Sequence, residues 1–400
     1  MRKSALFFLG LVAASLAALG LVVLCSASQP NAVRLHHGNA FAFFIRQMAY
    51  VAVGIPVAAI VARVDYRIWR NHRVLTWLLY GVVFLLLLAV FPPIGHKVNG
   101  SYRWIPLGPV NLQPSELAKL AIVIVVAFWM DRIGWKSERF WNGLVAPLLI
   151  IGGFAAPILA ETDLGSAVVV GGAGLLMMLL GGTRWIYFIG GAVIVVGGVL
   201  GVLLTNHNRM RRLAPWLRGV LPPDALAWLG MDSTAPVAVT KLSEMDPAQY
   251  QVYNSLVAIK NGGLWGVGLD KSMQKQYYLP EPHTDFVMAI GAEEYGILFS
   301  IAVILLFFAF FLLAIYIGKN ASDRYGRYLA FGMGFIIFFQ AMFNLGVICE
   351  ALPTKGMALP FFSYGGTNMI AACIAVGVIM SVGIHSYQDK KRILRRNVCL

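Results

Sequence analysis

The sequence predicts an all-α integral membrane protein of about ten transmembrane helices, with a large extracytoplasmic loop between helices seven and eight. Its 400 residues are 59% hydrophobic and only 12% charged, and the mean hydropathy is +0.73. That balance leaves too little polar surface for a water-soluble protein. Apolar stretches that approach the ~20 residues needed to cross a bilayer recur along the chain. They lie near 5–25, 41–62, 74–94, 117–130, 142–160, 164–182, 186–205, 286–317, 328–349 and 367–386.

The two ends of the chain and its longest polar interval complete the predicted domain. The first apolar stretch follows Met1, Arg2 and Lys3 and lacks a small-residue cleavage site, so we expect a retained helix and not a signal peptide. The polar interval 206–285 is the predicted extracytoplasmic loop, and 387–400 is a basic cytoplasmic tail. We therefore expect residues 1–400 to form a single transmembrane domain.

Basic residues predict the orientation, because Arg and Lys beside short loops are retained in the cytoplasm. If ten helices alternate, these basic residues all fall on one side of the membrane, together with both termini. They are Arg2, Lys3, Arg63, Arg67, Arg70, Arg73, Arg132, Lys136, Arg139, Arg184, Lys319, Arg324, Arg327, Lys390, Lys391, Arg392, Arg395 and Arg396. This topology explains most of the net charge of +14, so no nucleic-acid partner is needed to account for it.

A second set of basic residues lies on the predicted outer side, where retention statistics disfavour them. The set comprises Arg46, Lys97, Arg103, Lys119 and Lys355. Lys275 is also outside, but long loops cross a membrane regardless of their charge. An anionic ligand outside the cytoplasm would account for this set.

Glu116 and Lys119 are the clearest membrane-embedded charges. They are three residues apart, so they lie on one face of the helix that Pro114 is predicted to begin. An ionised side chain at that depth costs several kcal/mol unless it is paired or hydrated. Two interpretations stay open, a salt bridge that holds the helix to its neighbour and a role in a polar cavity. Both can hold, since a pair that braces a cavity wall also shapes the cavity.

Two further polar segments are most simply interpreted as structural elements. Glu161, Thr162 and Asp163 interrupt two apolar stretches, which is typical of a tight outer turn with Asp163 near a helix start, although the turn can reach the same cavity. Within the long loop, 246–263 begins with Asp-Pro, ends with Asn-Gly-Gly and has apolar residues at helical spacing. We expect a helix there that lies along the membrane surface.

The segment YLPEPHTDF, 278–286, places His283, Thr284 and Asp285 directly before an apolar helix. By position alone, Asp285 is favoured as an N-cap, which stabilises a helix by ~1 kcal/mol. The two prolines that stiffen the approach, the neighbouring His283 and the outer cations instead favour a rigidly held base. Near the other end of the chain, Ser363 begins the run SYGG before the last helix. Its glycines are typical of an amide site for an anion, or of a re-entrant turn without a ligand.

These segments, in this order, resemble the SEDS family of bacterial cell-wall synthases, which includes RodA and FtsW. The resemblance covers nearly the whole chain, and its motifs PEPHTDF and LPTKG are closer to the division branch, FtsW, than to the elongation branch. It runs from Arg46-Gln47 through QPSELAK, ETDLGSA, GLDKSMQKQYYLPEPHTDF, Gln340 and Asn344 to LPTKGMALPFFSYGG. The chain departs from the family pattern at Glu161-Thr162, at Cys349-Glu350 and at Thr367-Asn368.

The resemblance implies ten transmembrane helices and peptidoglycan glycosyltransferase activity on lipid II. It also implies a place in the bacterial inner membrane with the active site on the outer face. The implied partners are lipid II, a lipid-linked glycan strand, a class B penicillin-binding protein that supplies transpeptidation, and other division proteins. Asp285 would be the essential acidic residue, and Glu116 and Lys119 would line the adjoining cavity.

On this hypothesis, Asp285 accepts the proton of a sugar 4-hydroxyl while the polyprenyl diphosphate departs with inversion. The side chains predicted to bind substrate are Arg46, Arg103, Glu116, Lys119, Asp163, Lys275, His283, Thr284, Lys355 and Ser363. The cations among them would neutralise the diphosphate, and a divalent cation, Mg²⁺ or Mn²⁺, is a further candidate. The four cysteines have no metal-ligand spacing, and we predict no other cofactor.

Two other function classes compete with this hypothesis. A lipid II flippase would need polar residues through the full thickness of the membrane, whereas here they lie mainly toward the outer half. A non-catalytic division scaffold would tolerate the replacement of Asp285.

Overall fold

The computed structural model describes residues 2–35, 38–92, 95–98, 101–108, 110–204, 216, 247–276, 278–353 and 356–398. Within these ranges the chain is predominantly helical, which confirms the predicted class. The α-helices are α1 Arg2–Leu35, α2 Ala42–Arg63, α3 Arg67–Asn71, α4 Arg73–Ala89, α5 Pro114–Ile133, α6 Ala146–Ala160, α7 Leu164–Leu180, α8 Trp185–Leu204, α9 Pro247–Gly262, α10 Val287–Lys319, α11 Arg324–Ile348 and α12 Gly366–Val398. A 3₁₀ turn, Gly134–Glu138, and a π turn, Trp141–Val145, precede α6.

Each of the ten predicted apolar stretches falls on one of these helices: α1, α2, α4 to α8 and α10 to α12. Among the described residues, six helices are long and apolar enough to cross a membrane, namely α1, α2, α6 with its π turn, α10, α11 and α12. The apolar helices α4, α7 and α8 are shorter. Helix α5 is 20 residues long and carries Glu116 and Lys119. The predicted class, an all-α membrane protein, is confirmed, with six helices of spanning length and several shorter apolar ones among the described residues.

Helix α10 is interrupted at Gly296, whose φ of 82° and ψ of 178° are not helical. The segment that follows α9 supplies hydrogen bonds at this break. Val267 N donates to Glu293 O at 2.9 Å, and Gly268 N donates to Glu294 O at 3.0 Å. A helix in a membrane bundle can be broken only where other protein groups hydrogen-bond to its freed backbone groups, because lipid offers no hydrogen bonds. A Cβ at Gly296 would overlap the backbone of the inserted segment, so this position requires glycine.

Three short strands, which the sequence analysis did not predict, form an antiparallel sheet in the order β1-β2-β3. They are β1 His96–Val98, β2 Ser101–Leu107 and β3 Val110–Leu112. The end of the sheet is tied to the start of α12 through Thr367. Its Oγ1 donates to Asn111 O at 3.0 Å and accepts from Gln113 N at 3.2 Å. The sheet therefore fixes the start of α5 against α12.

Helix α9 confirms the helix predicted within the long loop. Its buried side chains include Val252 and Ala258, and Ser255 Oγ donates to Ile348 O at 2.8 Å, so α9 packs on the end of α11. The preceding part of the loop, 217–246, lies outside the described residues. Trp216 is described, and its Nε1 donates to Ala351 O at 3.2 Å.

Candidate active site

Residues 356–363, called the strap below, connect α11 to α12 without regular helix or strand structure. Met357, Leu359 and Phe362 of the strap are buried in the bundle. The backbone turns back on itself, because Leu359 N donates to Ser363 Oγ at 2.7 Å. The strap is thus a piece of irregular backbone whose polar groups must be satisfied by neighbouring side chains.

Two amide side chains of α11, Gln340 and Asn344, supply those hydrogen bonds. They are four residues apart and therefore lie on the same face of the helix. Gln340 Nε2 donates to Ala358 O at 2.7 Å, and Asn344 Nδ2 donates to Met357 O at 2.6 Å. From α2, Gln47 Nε2 donates to Ser363 O at 3.2 Å. The strap is thereby fixed at several points along its length.

The turn that carries the predicted base is held by consecutive backbone carbonyls. Each of the three carbonyls of residues 283–285 accepts a hydrogen bond from a donor that is distant in sequence. His283 O accepts from Tyr364 N at 2.9 Å, Thr284 O from Ser363 Oγ at 2.6 Å, and Asp285 O from Asn344 Nδ2 at 2.7 Å. The structure therefore brings the predicted residues His283, Thr284, Asp285 and Ser363 together. Three consecutive anchored carbonyls leave the backbone of this turn little freedom.

Asp285 is half-buried and lies just outside α10, whose N-cap position is occupied by Phe286. The interpretation of Asp285 as the N-cap is therefore not the arrangement in the structure. Its carboxylate instead lies against the strap: a Cβ built on Gly356 would overlap Oδ2 and lie 3.1 Å from Cγ. A carboxylate next to the N-terminal end of a helix is stabilised as an anion by the helix dipole.

His283 and Thr284 shape the turn. The His283 ring is buried and stacks on Phe43 of α2, with ring centroids 4.5 Å apart and an interplanar angle of 26°. Its Nδ1 lies 3.5 Å from Asn31 Nδ2. Burial lowers the pKa of His283, so the ring is neutral at pH 7. Thr284 Oγ1 donates to Glu281 O at 3.0 Å, within the turn.

Glu116 and Lys119 form a buried ion pair of 2.7 Å, and Lys119 Nζ also donates to Gln340 Oε1 at 2.8 Å. The pair lines a small cavity of about 20 Å³, room for an ordered water. The salt bridge lies within α5, Lys119 extends it to α11 through Gln340, and the pair forms one wall of the cavity. The cavity is lined by Glu116, Lys119, Leu120, Ile336, Ile337, Gln340, Pro360, Asn368, Ala371, Ala372 and Ala375. Through Gln340 and Pro360 the cavity adjoins the strap, on which the Asp285 carboxylate also rests.

Asp163 is buried at the start of α7, where its side chain accepts from Ser166 N at 3.3 Å. The predicted position near a helix start is confirmed. Its Oδ2 also accepts from Ser115 Oγ at 3.3 Å and from Gln113 Nε2 at 3.4 Å. Asp163 thus joins α7 to the first turn of α5, directly beside Glu116.

Arg103 of β2 lies at the turn between α6 and α7, where its Nη2 donates to Thr162 O at 2.7 Å. Glu161 of the same turn is 1% exposed. Burial, and secondly the charge of Asp163, raise the pKa of Glu161 to about 8 although Arg103 opposes the shift. Arg103 is therefore associated with a carbonyl and with acidic neighbours of the α6–α7 turn.

Lys275 lies in a different cluster from Asp285. Its side chain is 3% exposed, and Nζ lies 3.0 Å from Glu294 Oε1 and 2.8 Å from Ser26 Oγ, with a further ion pair to Asp270. The same break in α10 buries Glu293, whose carboxylate accepts from Asn261 Nδ2 at 3.3 Å. Lys275 therefore joins α1 and the end of the long loop to the break in α10.

The other predicted cations are placed differently. Arg46 is exposed on α2, beside the buried Gln47 that holds the strap. Lys355 lies outside the described residues, as does the side chain of Lys97.

Sequence reasoning assigned no role to Gly356 or Gln47, and it noted Gln340 and Asn344 only as part of the resemblance. Polar residues at a spacing of four within an apolar helix were the available signal for the last two. Gly356 is the last residue of the LPTKG motif, but the motif does not indicate what the glycine does. Among the described residues, no group of three or more His, Cys, Asp or Glu side chains is arranged to hold a metal ion.

Residues 6–388 of the chain match the family model for FtsW, RodA and SpoVE, which is described as "Cell cycle protein". Two relatives are each described as a probable peptidoglycan glycosyltransferase FtsW. The protein from Geobacter metallireducens is 35% identical over 372 residues, which cover 93% of this chain and 92% of the relative. The protein from Coxiella burnetii is 36% identical, with 92% and 93% covered.

Solved structures share the fold. A structure concerning the coordination of polymerization and crosslinking by a peptidoglycan synthase complex includes a chain with a TM-score of 0.72 and 24% identity. The match covers 96% of the present chain and 98% of that one. The crystal structure of the rod shape determining protein RodA from Thermus thermophilus has a TM-score of 0.66 and 23% identity, with 95% and 97% covered.

Proposed function

The chain belongs to the FtsW, RodA and SpoVE family of cell cycle proteins, and from this premise we propose that it is a peptidoglycan glycosyltransferase that polymerises lipid II. The observation that carries the chemical proposal is the anchoring of three consecutive carbonyls in the turn that presents Asp285. A general base must be held within hydrogen-bond reach of the proton that it removes, and a rigid backbone supplies that placement.

In the proposed reaction, the 4-hydroxyl of an acceptor N-acetylglucosamine attacks the anomeric carbon of a donor sugar. Asp285 accepts the hydroxyl proton as the new glycosidic bond forms, and the bond to the polyprenyl diphosphate breaks with its electron pair leaving on the diphosphate oxygen. The sugar passes through an oxocarbenium-like state, and direct attack inverts the configuration at the anomeric carbon. The neutral His283 holds the turn and does not supply a positive charge at pH 7.

The diphosphate of the donor would bind to cations that carboxylates do not already engage. Lys119 and Lys275 are each buried in ion pairs, so their charges serve the fold first. Arg46 is exposed on α2, next in sequence to Gln47, which holds the strap, and it is our first candidate for the diphosphate. Lys355, which lies outside the described residues, stays a predicted candidate. Arg103 is a weaker candidate because it already donates to Thr162 O. We assign no step to a metal ion, and the predicted Mg²⁺ or Mn²⁺ stays a prediction.

The surroundings of the reaction are part of the proposal. We propose that both termini lie in the cytoplasm and that the strap and Asp285 face the outer side, where the headgroup of lipid II would be presented. A class B penicillin-binding protein is the proposed partner. The fold shared with a peptidoglycan synthase complex supports that choice, as does the resemblance to the division branch.

Polymerisation of labelled lipid II by the purified protein, with and without its transpeptidase partner, tests the proposal. Because a general base contributes ~10² to 10⁴-fold to the reaction rate, Asp285→Ala should abolish polymer formation. The variant should still fold. Lys271→Ala, a change at an exposed residue of the loop, should polymerise at the parental rate. Polymer formation by Asp285→Ala near the parental rate would exclude Asp285 as the base.

The same preparation separates the two competing functions. Reconstituted in liposomes, a flippase would translocate lipid II without forming polymer. A scaffold would neither polymerise nor translocate, and cells that carry Asp285→Ala as their sole copy would divide normally.

A further inference from the structure

The Asp285 carboxylate rests on backbone that has no side chain. Gly356 begins the strap, and a Cβ built on it would overlap Asp285 Oδ2 and lie 3.1 Å from Cγ. Within 4 Å, its three nearest neighbours all belong to the carboxyl group of Asp285. The space that a side chain of residue 356 would take is therefore the space that the carboxylate occupies.

The backbone of Gly356 does not itself require glycine. Its φ lies outside the left-handed region, in contrast to Gly266 and Gly296 at the break of α10. An alanine at position 356 would therefore avoid the strain of the left-handed region. What it would displace is the far end of one side chain, which can rotate at small cost to the fold.

Asn344 holds the backbone of Asp285 close to the backbone beside Gly356. Its single Nδ2 donates both to Asp285 O and to Met357 O, the residue after Gly356, so one amide joins the two backbones. Asn344 is 2% exposed, and its Oδ1 has no hydrogen-bond partner among the described residues. The amide is consequently oriented by its two donated bonds, and the turn cannot move away from the strap without breaking one of them.

We propose that Gly356 is a positioning residue for Asp285, whose carboxylate occupies the room left by the absent side chain while Asn344 holds the two backbones together. The proposal rests on the proposed function of Asp285 as the base. A methyl group at position 356 turns the carboxylate away from its place but leaves the sugar and diphosphate contacts of other residues intact. Gly356 thus acts on the chemical step through Asp285 and not on binding.

The test compares Gly356→Ala with Gly172→Ala, a matched change in α7 where the added Cβ makes only ordinary contact, 3.8 Å from Phe335. We expect Gly356→Ala to lower kcat for lipid II polymerisation about 10²-fold, the usual effect of misplacing a reacting group by about 1 Å, with KM unchanged. Gly172→Ala should retain parental kcat and KM. A parental kcat for Gly356→Ala, or a loss that appears in KM alone, would overturn the proposal.

A stability cycle covers the case in which the alanine variant folds poorly. The unfolding midpoint is measured for the parent, Gly356→Ala, Asp285→Ala and the double variant. If the carboxylate is what the methyl group meets, any loss caused by Gly356→Ala should vanish in the Asp285→Ala background. A loss of equal size in both backgrounds would place the conflict elsewhere and overturn the proposal. Full activity of Asp285→Ala would instead refute the proposed function, so the two failures are distinguishable.

Discussion

Replacing Lys275 by Met should destabilise the protein without weakening its affinity for lipid II. The sequence alone suggested that Lys275 neutralises the diphosphate, whereas the structure buries its ammonium group against Glu294 and Ser26. Met keeps the length and apolar character of the side chain and removes the charge. The variant therefore separates a structural ion pair from a substrate contact.

The burial of the ion-pair partners determines how much free energy of unfolding Lys275→Met should lose. The side chain of Glu294 is 0% exposed, and removal of one partner of a buried ion pair typically costs about 3–5 kcal/mol, since the other charge stays buried. Ser26 Oγ continues to donate to Glu294 Oε1, at 2.5 Å, which favours the lower end, about 3 kcal/mol. The Asp270 side chain is 60% exposed, so solvent screening makes its share small.

Unfolding in mixed micelles with increasing SDS measures the change in the free energy of unfolding. Lys271→Met is the control, because Lys271 is exposed and its loss should change stability by no more than about 0.5 kcal/mol. The double variant Lys275→Met with Glu294→Gln should recover most of the loss, since no unpaired charge stays buried. Parental stability of Lys275→Met together with a raised KM for lipid II would refute this reasoning and return Lys275 to the substrate site.

Three further predictions concern single side chains near the candidate site. Burial lowers the pKa of His283, so below about pH 6.5 the unfolded chain takes up a proton that the folded chain resists. Stability should therefore fall as the pH drops through this range. In unfolding titrations, His283→Phe, which keeps the stacking on Phe43, should remove this pH dependence. Burial raises the pKa of Glu161 from an ordinary 4.5 to about 8, so the pH dependence of stability is opposite to that of His283. Stability should fall as the pH rises from 4.5 to 8. Glu161→Gln should therefore raise the unfolding midpoint at pH 7.5 but not at pH 4. Ser363→Ala leaves Thr284 O and Leu359 N without their hydrogen-bond partner and should cost ~2 kcal/mol in the SDS titration, whereas unchanged stability would show that these bonds do not hold the turn.

The sequence predicted the helices well because apolar length is a local property. It underestimated α1, which was expected over 5–25 and spans Arg2–Leu35, because the last turns of that helix contain polar residues and Pro30. The break of α10 at Gly296 was not predicted either. Nothing in the local pattern distinguishes it from a continuous helix, since the break depends on hydrogen bonds from Val267 and Gly268, in a segment that precedes α10.

The candidate site was predictable where its members are neighbours in the chain. His283, Thr284 and Asp285 come from one motif, whereas their anchors Ser363 and Asn344 lie 79 and 59 residues from their partners. One sequence cannot reveal such pairs, because hydrogen bonding between distant residues leaves no local pattern.

The sequence does not show which partner a charged side chain meets, nor where the absence of a side chain matters. A lysine in a sequence does not show whether it contacts a ligand or a buried carboxylate. Lys275 contacts the buried carboxylate of Glu294. Gly356 contributes through the lack of a side chain, and its role becomes visible only when the Asp285 carboxylate is seen beside it.

The rate of the first glycosidic bond, followed in single turnovers of labelled lipid II across pH, tests the assignment of Asp285 most directly. The parent should lose rate on the acid side as one carboxylate becomes protonated. Asp285→Asn should bind lipid II with parental affinity and form no bond at any pH. A rate for Asp285→Asn that equals the parental one, with the same acid limb, would contradict the central claim that this carboxylate removes the proton of the sugar hydroxyl.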